Sequence, residues 1–177
     1  MDYSLHRATM VDLPLLLSID QRSCDREGFD WQGAKAKREA LIRSFLEESQ
    51  NFSFVAQTAN RSVGAIMVRT SNPSEPTVTE NTWKLLIPII GSSMRFAEIF
   101  DLWVEPEFRR QGIARELKST LEAECKSRGI EWIFTFQHPE NAEAIHMNEA
   151  LGYEHIGSHA IYDAISRVCF LKRVANA

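Results

Sequence analysis

The chain lacks the features that mark membrane, secreted or metal-dependent proteins. Its longest apolar runs, Leu13–Leu17 and Leu85–Ile90, fall far short of the roughly 20 residues needed to span a bilayer. The opening MDYSLHRATMVDL has no basic stretch followed by apolar residues, so no secretory leader is expected. Only three cysteines occur, Cys24, Cys125 and Cys169, far apart and without a C-x-x-C pair. That excludes a disulfide framework or zinc ribbon as the organising principle and fits reduced thiols in a cytoplasmic protein. The five histidines, among them His138, His146, His155 and His159, show no metal-ligand spacing, so no metal site is expected. Positive charge is not in excess: the net charge is −4, which argues against a general nucleic-acid binder. There is no internal repeat and no low-complexity tract.

What remains is an ordinary globular composition, 44% hydrophobic and 25% charged over 177 residues, the size of a single domain spanning 1–177. Tyr3–Ala8 reads as a strand. Thr9-x-x-Asp12 resembles a capping box, which predicts a helix from Met10 that buries Leu13, Leu16, Leu17 and Ile19. After a polar stretch, Gln21–Asp30, a second helix is expected over Trp31–Glu48, with Leu41, Ile42, Phe45 and Leu46 on one face. Phe52–Thr58 and Val63–Thr70 read as strands joined by Ala59-Asn60-Arg61, where Asn60 can adopt positive φ. Ser71–Asn81 reads as a loop, and Trp83–Ile90 stays untyped because Pro88 interrupts it.

The second half is more regular. Arg95–Val104 and Ile130–Gln137 are strands flanking a helix, Arg110–Arg128, with Ile113, Leu117, Leu121 and Cys125 along one face and Gly129 as its stop. Asn141–Ala150 is a short helix. Tyr153–Ile161 and Ile165–Arg173 form a hairpin around Asp163-Ala164. A strand-helix-strand unit implies a parallel pair with a right-handed crossover, and the hairpins imply antiparallel neighbours. The fold class is therefore α/β: a mixed, mostly antiparallel sheet with one parallel pair and helices on both faces.

The most informative stretch is Phe100–Leu121, FDLWVEPEFRRQGIARELKSTL. Pro106 stops the strand, and Arg109-Arg110-Gln111-Gly112-Ile113-Ala114 opens the long helix. The first amides of a helix have no backbone acceptor and carry the positive end of its dipole. Gly112 and Ala114 keep that surface bare, and two arginines add charge, which together suit a pyrophosphate. Taken alone, such a segment is as readily a solvated basic turn.

It is not alone. Arg109, Gly112 and Ala114 match Q/R-x-x-G-x-G/A, Leu102-Trp103-Val104 precedes Glu105-Pro106, and Asn141-Ala142-Glu143-Ala144-Ile145 runs into Leu151-Gly152-Tyr153. With these motifs in this order, Arg95–Tyr153 resembles the GNAT superfamily of acyl-CoA-dependent N-acyltransferases. The resemblance implies acetyl-CoA as cofactor and a splayed parallel strand pair, Ile99–Val104 and Ile133–Gln137, that admits the pantetheine arm. It also implies a backbone N–H near Val104 that polarises the thioester carbonyl. The implied cofactor contacts are Leu102, Trp103, Val104, Arg109, Arg110, Gln111, Gly112, Ile113, Ala114, Asn141 and Asn148.

A protonated amine must lose a proton before it attacks. Carboxylates on the central strand, Asp101 and Glu98, are the candidate bases. They are three apart, so strand alternation predicts that only one faces the substrate. Asp101 adjoins the cofactor-facing segment, where burial raises a carboxyl pKa. The competing reading makes it a structural partner of Arg69, Arg95 or a backbone amide, and Glu98 is read as structural or solvent-facing. Many relatives carry Tyr seven residues after the Asn. Here that place holds Asn148, an amide that is no proton donor of that kind, so either the thiolate leaves without an acid or Tyr153, Tyr162 or water supplies the proton. The expected acceptor is a small polar amine. A protein N-terminus or lysine, or an acyl-CoA-sensing protein without chemistry, are the alternatives. No membrane partner is expected, and fold analogy admits a homodimer.

Overall fold

The computed structural model describes residues 2–74 and 76–174. Its strands are β1 (Ser4–Arg7), β2 (Phe52–Gln57), β3 (Ser62–Ser71), β4 (Phe96–Val104), β5 (Trp132–Gln137), β6 (Glu154–His159) and β7 (Arg167–Arg173). Its helices are α1 (Leu13–Arg26), α2 (Lys35–Glu47), α3 (Glu80–Ile90), α4 (Ile113–Ser127) and α5 (Ala142–Ala150). The strand order is β1-β2-β3-β4-β5-β7-β6, a mixed and mostly antiparallel sheet in which β4 and β5 are the parallel pair. The parallel ladder joins Phe96–Glu98 to Trp132–Phe134, while β4 runs on to Val104 and β5 to Gln137. The chain forms two compact units, one of Met1–Arg69 with Phe100–Leu121, the other of Thr70–Ile99 with Glu122–Ala177.

In the first unit, α1 and α2 cover β2 and β3. Leu16, Ile19, Ile42 and Phe45 close on Val55, Ala65 and Met67, and Phe100 and Trp103 of β4 pack against the same cluster. The Thr9 N–H donates to Asp12 Oδ2 at 2.9 Å at the expected start, but the first turn is a 3-10 turn over Met10–Asp12 that feeds α1. The β2–β3 turn corrects one expectation. Thr58 closes it, its N–H and hydroxyl both donating to the Arg61 carbonyl at 2.9 and 3.0 Å. Arg110 is the only non-glycine residue with positive φ among the described residues, so Asn60 adopts none.

The polar stretch Gln21–Asp30 is a second correction, because α1 continues through it to Arg26. Gln21–Arg26 stay helical behind Asp20, the residue just before the stretch, which is buried and bonded. Asp20 is fully buried and accepts from Trp31 Nε1 at 2.7 Å and from Arg38 Nε at 3.0 Å. Trp31, expected to open the second helix, instead lies ahead of Lys35 and is buried through this bond. The cluster latches the α1–α2 connection. Breaking a buried ion pair by removing one partner is strongly destabilising, and Arg38 keeps some contact with water. Asp20→Ala should therefore cost roughly 3 kcal/mol, measured as a lower denaturant midpoint at unchanged m-value.

In the second unit, the untyped Trp83–Ile90 segment is a helix. The Thr79 hydroxyl accepts from the Thr82 N–H at 3.3 Å and donates to the Ile161 carbonyl at 2.6 Å. Gly91, at φ 88°, ends it. Pro88 falls in its last turn, where the missing N–H and the bend are tolerated on an exposed side. The segment Ser71–Asn81 is accordingly shorter as a loop than expected, with Ser71 in β3 and Asn81 in α3; Glu75 lies outside the described residues. Trp83, Leu86 and Ile90 of α3 pack on Phe96, Phe134, Cys169 and Leu171. All three cysteines are buried, and burial pushes their thiols up, to about 11 for Cys24 and Cys169 and about 12 for Cys125. They are held protonated at neutral pH.

Candidate active site

In the first unit, the segment after β4 is built to leave donors facing outward. The Glu105 N–H donates to the Val63 carbonyl at 2.9 Å, the last tie to the sheet. Pro106–Phe108 makes one 3-10 turn, anchored by buried Phe108. Arg110 then takes φ 62° and Gly112 φ 87°. Left-handed backbone at a non-glycine residue costs on the order of 1 kcal/mol and is found where the surroundings require it. Such turns are how a loop points N–H groups to one side.

The first helical bond of α4 is Glu116 N–H to the Gly112 carbonyl, 3.0 Å. The amides of Ile113, Ala114 and Arg115 therefore precede any intrahelical acceptor. A side chain at Gly112 would meet nothing within 4 Å, so the surface above it is open. Arg110, Gln111 and Gly112 are exposed, whereas Ile113 is buried and fixes the helix. Bare amides, an open glycine surface, a helix N-terminus and an exposed Arg110 fit a pyrophosphate. Arg109 is exposed and also tied to the strand end. Its Nε donates to the Val104 carbonyl at 3.0 Å and its guanidinium stacks 5.3 Å from the Trp103 ring, so it braces the strand end.

Asp101 lies on the same strand, three residues before Val104. It is half-buried and accepts from the Ser23 hydroxyl of α1 at 2.5 Å. Burial pushes its carboxyl up to about 6; the Ser23 hydrogen bond and the charge of Arg26 pull the other way, and Asp20 adds to the rise. Its side-chain hydrogen bond is to Ser23, and a backbone hydrogen bond from Leu102 also holds its pKa down, as the backbone-amide reading expects. Phe100 and Trp103, three apart, both pack on the α1–α2 cluster, so simple alternation does not hold across this stretch of β4. That is why a face assignment counted from Glu98 does not carry through to Asp101.

The second unit holds Glu98, Asn141 and Asn148. Glu98 is fully buried and accepts from the Tyr162 hydroxyl, so the solvent-facing reading is corrected. Tyr162, on the β6–β7 connection, packs 5.1 Å from the Phe136 ring. Asn141 caps α5, its Oδ1 accepting from the Ala144 N–H at 3.3 Å. Asn148 is buried, and its carbonyl accepts the N–H groups of Leu151 and Tyr153 at 3.1 and 3.0 Å. Tyr153 is buried too, which pushes its phenol well above the ordinary tyrosine value and makes it a poor proton donor.

Three contributors escaped the sequence reading. Ser23, Arg22 and Arg26 all lie in the segment taken as polar connection. The i, i+4 spacing of Arg22 and Arg26 was the available signal, since both guanidiniums stack 5.7 Å from Trp103.

Comparison with known proteins agrees with this geometry. The acetyltransferase (GNAT) family model matches residues 16–153. A 57-residue stretch is 35% identical to the [ribosomal protein bS18]-alanine N-acetyltransferase of Escherichia coli K12, spanning 32% of this chain and 38% of that protein. The crystal structure of the E. coli ribosomal-protein-S18-alanine N-acetyltransferase superposes with a TM-score of 0.68 at 19% identity, covering 99% of this chain and 96% of that one. Arabidopsis thaliana NAA60, solved in complex with acetyl-CoA, gives 0.72 at 12% identity over 98% of this chain and 100% of its own. The aminoglycoside N-acetyltransferase AAC(6')-Iy, solved with a bisubstrate analogue, gives 0.68 at 16% identity, covering 92% and 97%. The chain belongs to the acetyltransferase (GNAT) family.

Proposed function

We propose that this protein transfers the acetyl group of acetyl-CoA to the primary amine of a small polar acceptor, with Asp101 as the base. Acetyl-CoA is the acyl donor. Its pyrophosphate rests on the amides at the start of α4, with Arg110 and Gly112 shaping the approach. One N–C bond forms and one C–S bond breaks. The acceptor ammonium gives one proton to Asp101 and attacks as free amine. A second proton leaves its nitrogen as the adduct collapses and ends on the departing sulfur, and Asp101 returns its proton to water.

The observation that carries this reading is the Asp101–Ser23 pair: a half-buried carboxyl held near 6 on the strand that ends at the anion loop. A base with a pKa just below neutral is ionised at pH 7 yet strong enough to take a proton. A protein α-amine is the second reading, supported by the activity in the name of the E. coli relative, a [ribosomal protein bS18]-alanine N-acetyltransferase. The test is thiol release from acetyl-CoA, followed against pH, with small amines and short peptides as acceptors. The rate should depend on added amine, rise with pH through about 6 and then level. Release independent of any amine would contradict transfer.

The strand end is positioned by β3. A Cβ at Gly64 would stand 2.9 Å from the Trp103 carbonyl and 3.3 Å from Val104 Cγ2. Gly64→Ala therefore pushes the Trp103–Val104 peptide away, at roughly 1–3 kcal/mol of overpacking. Turnover should fall about 10-fold or more, with the stability loss read separately by thermal melting.

A further inference from the structure

The inner stretch of β4 is crowded with positive charge in a protein of net charge −4. Arg22, Arg26 and Arg109 stack on Trp103 at 5.7, 5.7 and 5.3 Å. Arg38 and Arg69 stack on Phe100 at 5.4 and 5.3 Å. Most of this charge is already engaged. Arg22 donates to Glu105 Oε1 at 2.6 Å, Arg109 to the Val104 carbonyl, and Arg38 to Asp20. Arg26 differs. It is exposed, in the last turn of α1, and its field reaches Asp101. Among the described residues its guanidinium has no hydrogen bond or ion pair; its one ring contact is the Trp103 stack. Asp25 and Glu27 flank it in sequence.

A guanidinium held over an indole by its charge still has N–H donors to offer, and those donors grip carboxylate or phosphate bidentately. Its neighbour Asp101 holds negative charge at neutral pH. An opposed pair of this kind is matched by a zwitterion.

The geometry points to an acceptor that carries an anionic group a few bonds from its amine, the anion held by Arg26 and the ammonium directed to Asp101. This rests on Asp101 being the base of the proposed acetyl transfer. Carboxylate and phosphate share the chemistry that Arg26 recognises, and matched acceptors distinguish them: glycine against glycinamide, and O-phosphoethanolamine against ethanolamine. Aminoglycoside-like polyamines, with no anion, are disfavoured.

The experiment measures kcat/KM for the four amines with the whole protein, alongside Arg26→Ala and Arg26→Lys. The anionic member of at least one pair should be preferred 10-fold or more, and the pair that shows it identifies the anion. Arg26→Ala should bring that ratio close to one, Arg26→Lys should keep part of it, and raising the salt should erode it in the unaltered protein. Equal rates within both pairs, or a preference that survives Arg26→Ala, would overturn the inference. So would the absence of turnover with all four. Acetyl-CoA binding, measured by calorimetry on the same samples, then decides separately whether the parent reading stands. Binding without turnover of these amines removes only the anionic acceptor, whereas loss of binding removes both.

Discussion

Asp101→Asn should abolish most of the transferase activity while making the protein more stable. The amide keeps the size of the side chain and its contact with Ser23 but cannot accept a proton. General-base catalysis contributes roughly 10²–10⁴-fold, so kcat/KM should fall by at least about 100-fold, and the rise of rate with pH through about 6 should vanish. The stability change has the opposite sign. The folded carboxyl titrates at about 6 because burial disfavours its charge, above the unfolded value near 3.9. Its stabilising contribution is complete below the unfolded pKa and is lost as pH rises through the folded one. At pH 7 the ionised Asp101 is thus a net cost. After allowing for its partial exposure, Asn should recover about 1–2 kcal/mol. Chemical denaturation at pH 7 and pH 4 checks this, with the variant ahead at the higher pH and the two converging at the lower. A merely structural Asp101 would show activity and stability falling together.

Gly112→Glu should remove acetyl-CoA binding without unfolding the chain. The position has φ 87° and open space above it. Two effects add there: left-handed strain of about 1–2 kcal/mol for any L side chain, and a carboxylate placed where an anion must sit. Affinity should fall by about 100-fold or more, since each 1.4 kcal/mol is a factor of 10. Gly112→Ala separates the two effects, because it carries the strain without the charge and should retain most binding at a lower melting temperature. Isothermal titration of acetyl-CoA into the three proteins checks the order.

The parts legible in the sequence were those encoded at short range. The loop Arg109–Ala114 and the cap at Asn141 are local spacings, and the helix of Ile113, Leu117, Leu121 and Cys125 is a period of four. Ile113, Leu117, Leu121 and Cys125 are all buried, as that period puts them, and Asn141 caps α5. What escaped depended on distant partners. Ser23 is 78 residues from Asp101, and nothing local in Gln21–Asp30 announces that α1 persists there. Its continuation depends on Asp20 meeting Trp31 and Arg38 in the folded protein. Likewise Pro88 argued against a helix whose cap, Thr79, is fixed by the carbonyl of Ile161, 82 residues away. The sequence leaves Glu98 between a structural and a solvent-facing place because its cover, Tyr162, comes from the far end of the chain.

The most direct measurement is the mass of the amine recovered after incubation with acetyl-CoA and the unaltered protein, in parallel with Asp101→Asn. Amine acetyl transfer predicts a product heavier by one acetyl group, its nitrogen no longer titratable, formed by the unaltered protein and nearly absent with the variant. Acetyl-CoA consumed with every amine recovered unchanged, or equal product from both proteins, would contradict it.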